Sequence, residues 1–426
     1  MIELKPDIWN KFICPECKSS NVEVKDVAFP GIHILADCRC CNCNTLFYSD
    51  FPTGHALFYP VSFNKTTLNL YAADNINWFY KPLINSYSEK NNLPVEVHKK
   101  EYKKTDKIIL LNCIDYLYGH VLLKLFNAQE YLERYNDFGL VVIIPRQFEW
   151  LVPDGVSEIW SVDIKLWQAK DWFVALDSFI KNELKRFSRV YLGLAFSHPE
   201  PGKIIIEKFT GTKPFDIQEF GKRSPTITFI YREDRLWTSG RISSYLAERV
   251  NQIPSAKLPR KILIFRQNKK IIKTFRLLKR MLPQANLNVV GLGTTSNFPF
   301  FINDLRKKNV DVEVEKHWCK TYSQSHLVIG IHGSNMLLPT ALAAGFVELL
   351  PQSREGNILQ DIARPVSNRM DFFLSRFCDE HISPSGLATM AASIIKTFPE
   401  AYIRYHSSFL EHKIYEDIGK WKTDVK

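Results

Sequence analysis

Six of the nine cysteines fall between Cys14 and Cys43, and their spacing is that of a metal site. Tetrahedral zinc wants four thiolates delivered as two pairs, each from a tight turn, and Cys-x2-Cys supplies such a pair. Cys14 and Cys17 form the first. The second is either Cys38 with Cys41 or Cys40 with Cys43, since both have the two-residue gap. Cys40 and Cys43 are favoured because Asn44, directly after them, tolerates the left-handed turn that closes such a knuckle. Phe47 and Tyr48 are expected to pack over this structural zinc. A disulfide framework fits less well, because the N-terminus lacks a basic stretch followed by an apolar one of signal-peptide length. Cys113, Cys319 and Cys378 are scattered and read as buried thiols.

A second chemistry-bearing stretch runs from Ile329 to Pro351. A buried strand is expected to end at His332, Gly333 to turn the backbone, and Ser334 and Asn335 to stand where a helix cap belongs. A helix starting there would aim free N–H groups and its positive end at an anion such as a diphosphate. Glu348 ends the next expected strand, within reach of a ribose. The plain alternative is an ordinary strand-turn-helix in which Gly333 turns and Ser334 caps. Arg232 and Arg235 follow the apolar run Thr226 to Tyr231, and a guanidinium gives bidentate hydrogen bonds to phosphate oxygens. Their alternative is a surface Arg/Asp network. Arg266 is expected to end a strand over 261–265 and is a second candidate for the same role. The turn over 291–296, with Gly293, is expected at the same ligand-binding cleft.

These residues need elements to hold them. With 426 residues the chain is far above the roughly 150 of a typical domain, so two or more cores are expected. After Asp50 short apolar runs alternate with helical spacing. Strands are expected at 107–113, 140–144, 159–162 and 189–194, with helices at 116–134 and 171–187. The pattern restarts with strands at 226–231, 261–265, 288–292, 310–315, 327–331 and 346–350, and helices at 242–250, 271–281, 302–308 and 336–344. Near-continuous apolar strands imply parallel sheets covered on both faces. The expected fold class is therefore α/β. Two Rossmann-like domains are expected in tandem, at 51–222 and 223–400, after a zinc ribbon at 1–50. A last helix over 401–426 is expected to pack back on the first domain. In such folds ligands lie beyond the carboxyl ends of the strands.

Tyr322 to Pro351, with His332-Gly333 and then Glu348-Leu349, resembles the donor-side motif of GT-B glycosyltransferases, most closely the family 61 type. That family has Ala-Gly where this chain has Ser334-Asn335. Asp115 to Phe126 resembles the family's Asn-Tyr-x-His-Trp segment and sets His120 at the position of its histidine. The zinc ribbon is not part of the family pattern. The resemblance implies transfer of a sugar from a nucleotide-sugar donor to a hydroxyl of a glycan or glycoconjugate. His120 would be the base, since imidazole titrates near neutrality, with Asp115 as its alternative. Arg232 or Arg235 would stabilise the departing diphosphate. With no Asp-x-Asp triplet, no catalytic metal is expected.

The formal charge of +11 permits an anionic partner. The basic run from Arg260 to Arg280 carries apolar residues at helical spacing and reads as the wet face of a core helix. Nucleic acid is not the expected partner, because it would leave the paired α/β domains without a purpose. A zinc-ribbon nucleic-acid-binding protein and a GT-B-type nucleotide-sugar epimerase or hydrolase stay as alternatives. A cytoplasmic location is expected, with a peripheral seat at the inner face of a membrane compatible with the charge.

Overall fold

A computed structural model describes residues 1–406 apart from 9, 73–75, 90–93, 254–255, 361 and 365–367. The chain divides into two compact units, Met1–Pro199 and Glu200–Lys426. The division falls before the Pro/Gly-containing stretch at 200–222, because Phe215 and Phe220 insert into the core of the second unit.

The first unit is built on a six-stranded sheet. Its parallel centre runs Arg189–Leu192, Lys107–Asn112, Gly139–Pro145, Glu158–Val162. Strands Ile2–Lys5 and Val97–Glu101 close its two edges in the antiparallel sense. Lys107–Asn112 and Gly139–Pro145 are buried almost throughout, which is why they are near-continuous apolar runs without alternation. A separate five-stranded antiparallel sheet carries the cysteines: Val22–Ala28, Leu35–Cys40, Leu46–Asp50, Ser62–Asn64 and Leu70–Tyr71. It runs past residue 50, and Cys14, Cys38, Cys40 and Phe47 share a hydrophobic core with Ile108, Val141 and Trp160.

The second unit has six parallel strands. Their order is Asn303–Asp304, Asn286–Gly291, Thr226–Tyr231, Leu327–Ile331, Phe346–Leu350, Ser375–Asp379. In chain order this is 3-2-1-4-5-6, the doubly wound Rossmann arrangement. Helix Pro384–His406 covers the same core, and the rest of the expected last helix lies outside the described residues.

Three expected elements differ. The strand at 261–265 is the interior of one 25-residue helix, Lys257–Met281, whose buried Ile264, Ile271, Phe275 and Leu278 line one helical face. Local β-branched content there yields to this longer period. The expected strand at 310–315 is the start of helix Val312–Ser323. Asp311 caps it by accepting from the Val314 N–H at 2.9 Å, and Glu313 and Glu315 favour its positive end. The helix expected at 302–308 is extended. There Asp304 accepts from the Arg306 N–H at 3.3 Å, offering the backbone an alternative to helix, and Asn303–Asp304 pairs with Asn288 and Val289.

The single-helix assignment makes a stability prediction. Phe275→Ala should cost about 3–5 kcal/mol by chemical denaturation, as for a buried aromatic. Arg266→Ala on the exposed face should stay within about 0.5 kcal/mol.

Candidate functional site

The two cysteine knuckles have the same backbone. The Lys18 N–H bonds the Cys14 carbonyl and the Asn44 N–H the Cys40 carbonyl, both at 3.0 Å, with Lys18 and Asn44 at φ of 61° and 60°. Asn44 thus makes the left-handed turn expected of it. Cys14, Cys17, Cys40 and Cys43 converge, all four sulfurs lying within 4.8 Å of one another. Cys14 to Cys43 is 3.6 Å and Cys17 to Cys40 is 3.5 Å. Tetrahedral zinc at 2.3 Å from each sulfur would set them about 3.8 Å apart, so the four could hold such an ion. The Thr45 hydroxyl, with its backbone N–H, lowers the Cys43 thiol to about 6, which favours the thiolate a metal needs. Cys38 is instead fully buried on its strand, and Cys41 is exposed. Phe47 packs in the cluster with Cys14 and Cys40. Tyr48 points the other way, as alternation along a strand requires, and packs with Phe63 and Trp172.

In the first unit Asp115 and His120 are brought together. Strand Lys107–Asn112 delivers Asp115 at its carboxyl end. The Leu117 N–H donates to Asp115 at 3.2 Å just ahead of helix Tyr118–Arg134, and the first turn of that helix carries His120. Lys124 lies one turn further on the same face. Its ammonium reaches Asp115 Oδ2 at 2.9 Å and the Ile114 carbonyl at 2.8 Å. His55 arrives from a distant stretch and is fixed at the end of the neighbouring strand Arg189–Leu192. There the Gly54 N–H bonds the Leu194 carbonyl at 2.7 Å, and the Thr53 hydroxyl bonds the Gly193 carbonyl at 2.9 Å. His55 Nε2 is 3.0 Å from Asp115 Oδ2 and 3.1 Å from His120 Nδ1, which is 3.5 Å from Asp115 Oδ1. The His198 ring lies 5.5 Å from that of His120.

Electrostatics sets the protonation of this cluster. Burial pushes the Asp115 carboxyl up, but Lys124 and the bonds from His120 and His55 outweigh it and hold the group well below the usual range. Burial pushes the imidazoles of His55 and His198 below their usual value. An ionised aspartate beside the neutral imidazoles of His55 and His198 can take a proton in passing, and the lowered values mean it is not kept at neutral pH. His55, Asp115 and His120 also offer converging metal-ligand atoms. Lys124 already neutralises that carboxylate, so proton handling is the chemistry the set fits better.

In the second unit the loops after Thr226–Tyr231 and Leu327–Ile331, neighbouring strands, meet. Arg235 Nη1 donates to the His332 carbonyl at 2.5 Å, and Arg232 Nη1 to Asn335 Oδ1 at 2.8 Å. Arg232 also pairs with Asp234. Gly333 has φ of 149°, and a Cβ there would stand 2.2 Å from Arg235 Nη1, so only glycine permits this contact. Ser334 does not cap a long helix. Gly333 holds the cap position without a side-chain bond, followed by a 3-10 turn and only six α-helical residues, Leu337–Leu342. The loop therefore offers guanidiniums rather than the positive end of a long helix. His332 and Glu348 are fully buried and hydrogen-bonded to each other, and His332 Nε2 also contacts the Asn357 carbonyl at 3.2 Å. Glu348 thus braces the loop from beneath.

Two expected site residues are not brought in. Arg266 is exposed in mid-helix, not at a strand end. The space beside Gly293 is filled by Glu233, whose carboxylate accepts from the Thr295 N–H and hydroxyl at 3.0 and 2.7 Å. The neighbour of Arg266, Gln267, is the helix residue that reaches the Arg232 loop. It donates to the Arg232 carbonyl at 2.9 Å and accepts from the Trp237 N–H at 2.7 Å. Sequence reading missed Gln267, His55, His198 and Lys124. The four-residue step from His120 to Lys124 was a usable signal, whereas His55 lies too far along the chain to carry one.

No protein-family model and no curated protein matches the chain. Among solved structures it is similar to E. coli ADP-heptose LPS heptosyltransferase II, at 10% identity and a TM-score of 0.36 over 68% of this chain and 99% of that one. It is also similar to the iron-containing dodecameric glycosyltransferase TibC of enterotoxigenic E. coli H10407, at 10% identity and a TM-score of 0.31 over 87% of this chain and 83% of that one. Likenesses this loose leave activity to be argued from the residues.

Two outcomes are expected. Cys40→Ser should lower the zinc content measured by elemental analysis from about one per chain, while Cys38→Ser and Cys41→Ser should keep it. Lowering the pH through about 6.5 should destabilise the protein, because unfolded His55 and His198 take up protons that the folded site refuses, so the unfolded chain binds more. Urea titrations of His55→Gln should show a shallower loss between pH 7 and 5.

Proposed function

We propose that this protein is a GT-B-type glycosyltransferase, moving a sugar from a nucleotide-sugar donor to a hydroxyl of a glycan or glycoconjugate acceptor in surface-polysaccharide or glycoconjugate synthesis. The observation that carries this reading is the pairing of Arg232 and Arg235 with the His332–Asn335 loop, where the strand order of the second sheet reverses. Ligands of open α/β sheets bind at that reversal, and two guanidiniums there suit a diphosphate. The His332-Gly333 and Glu348 resemblance to family 61 enzymes agrees with this.

In the proposed reaction the acceptor oxygen attacks the anomeric carbon, and the bond from that carbon to the diphosphate oxygen breaks. His120 takes the hydroxyl proton, with Asp115 accepting a hydrogen bond from the ring and stabilising the imidazolium that forms. His55 shares the same carboxylate and could pass the proton on. Arg232 and Arg235 would neutralise the charge that builds on the leaving diphosphate. Zinc held by Cys14, Cys17, Cys40 and Cys43 would be structural and would tie the ribbon to the first core. A peripheral seat at the cytoplasmic face of a membrane suits a lipid-linked acceptor. The buried histidine cluster could equally activate water, which keeps a nucleotide-sugar hydrolase as the second reading.

Thermal-shift screening of nucleotide sugars tests the donor site. A true donor at a hundredfold excess over its Kd should add about 2.7 kcal/mol of apparent stability. Gly333→Val, which displaces Arg235, and the milder Arg232→Ala should both lose that gain while melting cooperatively. An undiminished shift in both variants would sink the assignment. Release of nucleoside diphosphate only when an acceptor is added separates transfer from hydrolysis.

A further inference from the structure

Helix Lys257–Met281 holds ten Lys and Arg side chains and no Asp or Glu, against a formal charge of +11 for the whole chain. Its second half is anchored, since Ile271, Phe275 and Leu278 are buried in the core of the second unit. Its first half is held by fewer apolar contacts. Of its apolar side chains only Ile264 is buried, in a small cluster with Leu236 and Ala247, beside the buried amides Gln267 and Asn268, while Leu258, Ile262 and Phe265 are 70%, 47% and 52% exposed.

Helix Arg241–Gln252 supplies Ala247 to that cluster and turns its own apolar stripe outward. Ile242, Tyr245 and Leu246 are 80%, 55% and 50% exposed, and Ile253 just beyond the helix is 52% exposed. Positions 242, 245, 246, 249 and 253 follow helical spacing, so these residues share one face. Cations are interleaved with them: Arg249 lies 5.2 Å over Tyr245 and Lys269 4.6 Å over Phe265. Seven large apolar side chains in water beside a dense positive field are more than scattered surface hydrophobics.

We propose that these two helices form a docking face for an anionic lipid bilayer. An amphipathic helix lies in the membrane interface when its apolar face enters the acyl boundary and its cations meet acidic headgroups. That pairing uses both features. Nucleic acid would use the charge and strand the apolar residues against phosphate, whereas a second copy would set ten cations against ten across a two-fold contact. No helix among the described residues is long and apolar enough to cross a membrane, so the contact is interfacial. This inference does not depend on the sugar-transfer reading.

Co-sedimentation of the full chain with phosphatidylcholine vesicles, with and without phosphatidylglycerol, tests it. Binding should require phosphatidylglycerol and weaken as salt rises. Ile242→Ser with Leu258→Ser, both exposed and therefore harmless to the fold, should lower binding at least about tenfold at unchanged charge and unchanged melting temperature. Absence of binding, equal binding to both vesicles, or full binding by the double variant would overturn the proposal. Salt-steep binding to duplex DNA that excludes vesicles and ignores the double variant would assign the face to nucleic acid instead. A dimer in light scattering that the double variant dissolves would assign it to a second copy.

Discussion

The chemistry in both units depends on one constraint, the reversal of strand order in a parallel sheet. In the second sheet the chain moves outward from Thr226–Tyr231 on one side and from Leu327–Ile331 on the other. In the first it moves outward from Lys107–Asn112 and returns to that strand's other side with Arg189–Leu192. At each reversal the loops beyond the two neighbouring strands part to opposite faces and leave a crevice. Asp115, His120 and His55 stand at the first. Arg232, Arg235 and the His332–Asn335 loop stand at the second. The sheet cores are apolar and generic, yet their winding decides which polar residues meet.

The two crevices differ in kind. In the first unit a carboxylate is removed from water entirely, and an ammonium and two imidazoles make that tolerable. Breaking such a buried pair by removing one partner typically costs about 3–5 kcal/mol, so the arrangement is held more firmly than a surface network would be. In the second unit two half-buried guanidiniums are braced by a glycine, an amide and a backbone carbonyl, and Arg232 is also paired with Asp234. The buried His332 and Glu348 pair supports that loop from behind.

Much of this was legible in the sequence because it depended on local pattern. The cysteine spacing, with Asn44 to decide between two registers, identified the four converging thiols. Apolar runs located every strand of the two parallel centres except Asn303–Asp304 and Ser375–Asp379, which are short or only half-buried. Failures came where a short window competed with a longer period. Ile262 to Phe265 looks like a strand until the burial of Ile264, Ile271 and Phe275 is seen to be helical. The Val310, Val312, Val314 alternation gave way to the Asp311 cap. Gln267 was hidden by the first of these errors, and His55 by its distance along the chain. Likewise the basic run read as the wet side of a core helix also carries exposed Leu258, Ile262 and Phe265 in its first half.

The central claim is that the second reversal receives a diphosphate. A crystal structure of the full chain with a nucleoside diphosphate tests this most directly. The account predicts phosphate oxygens within hydrogen-bond distance of the Arg232 guanidinium and the backbone of Gly333 to Asn335. A diphosphate seated on the cationic helix Lys257–Met281, with that loop empty, would contradict it.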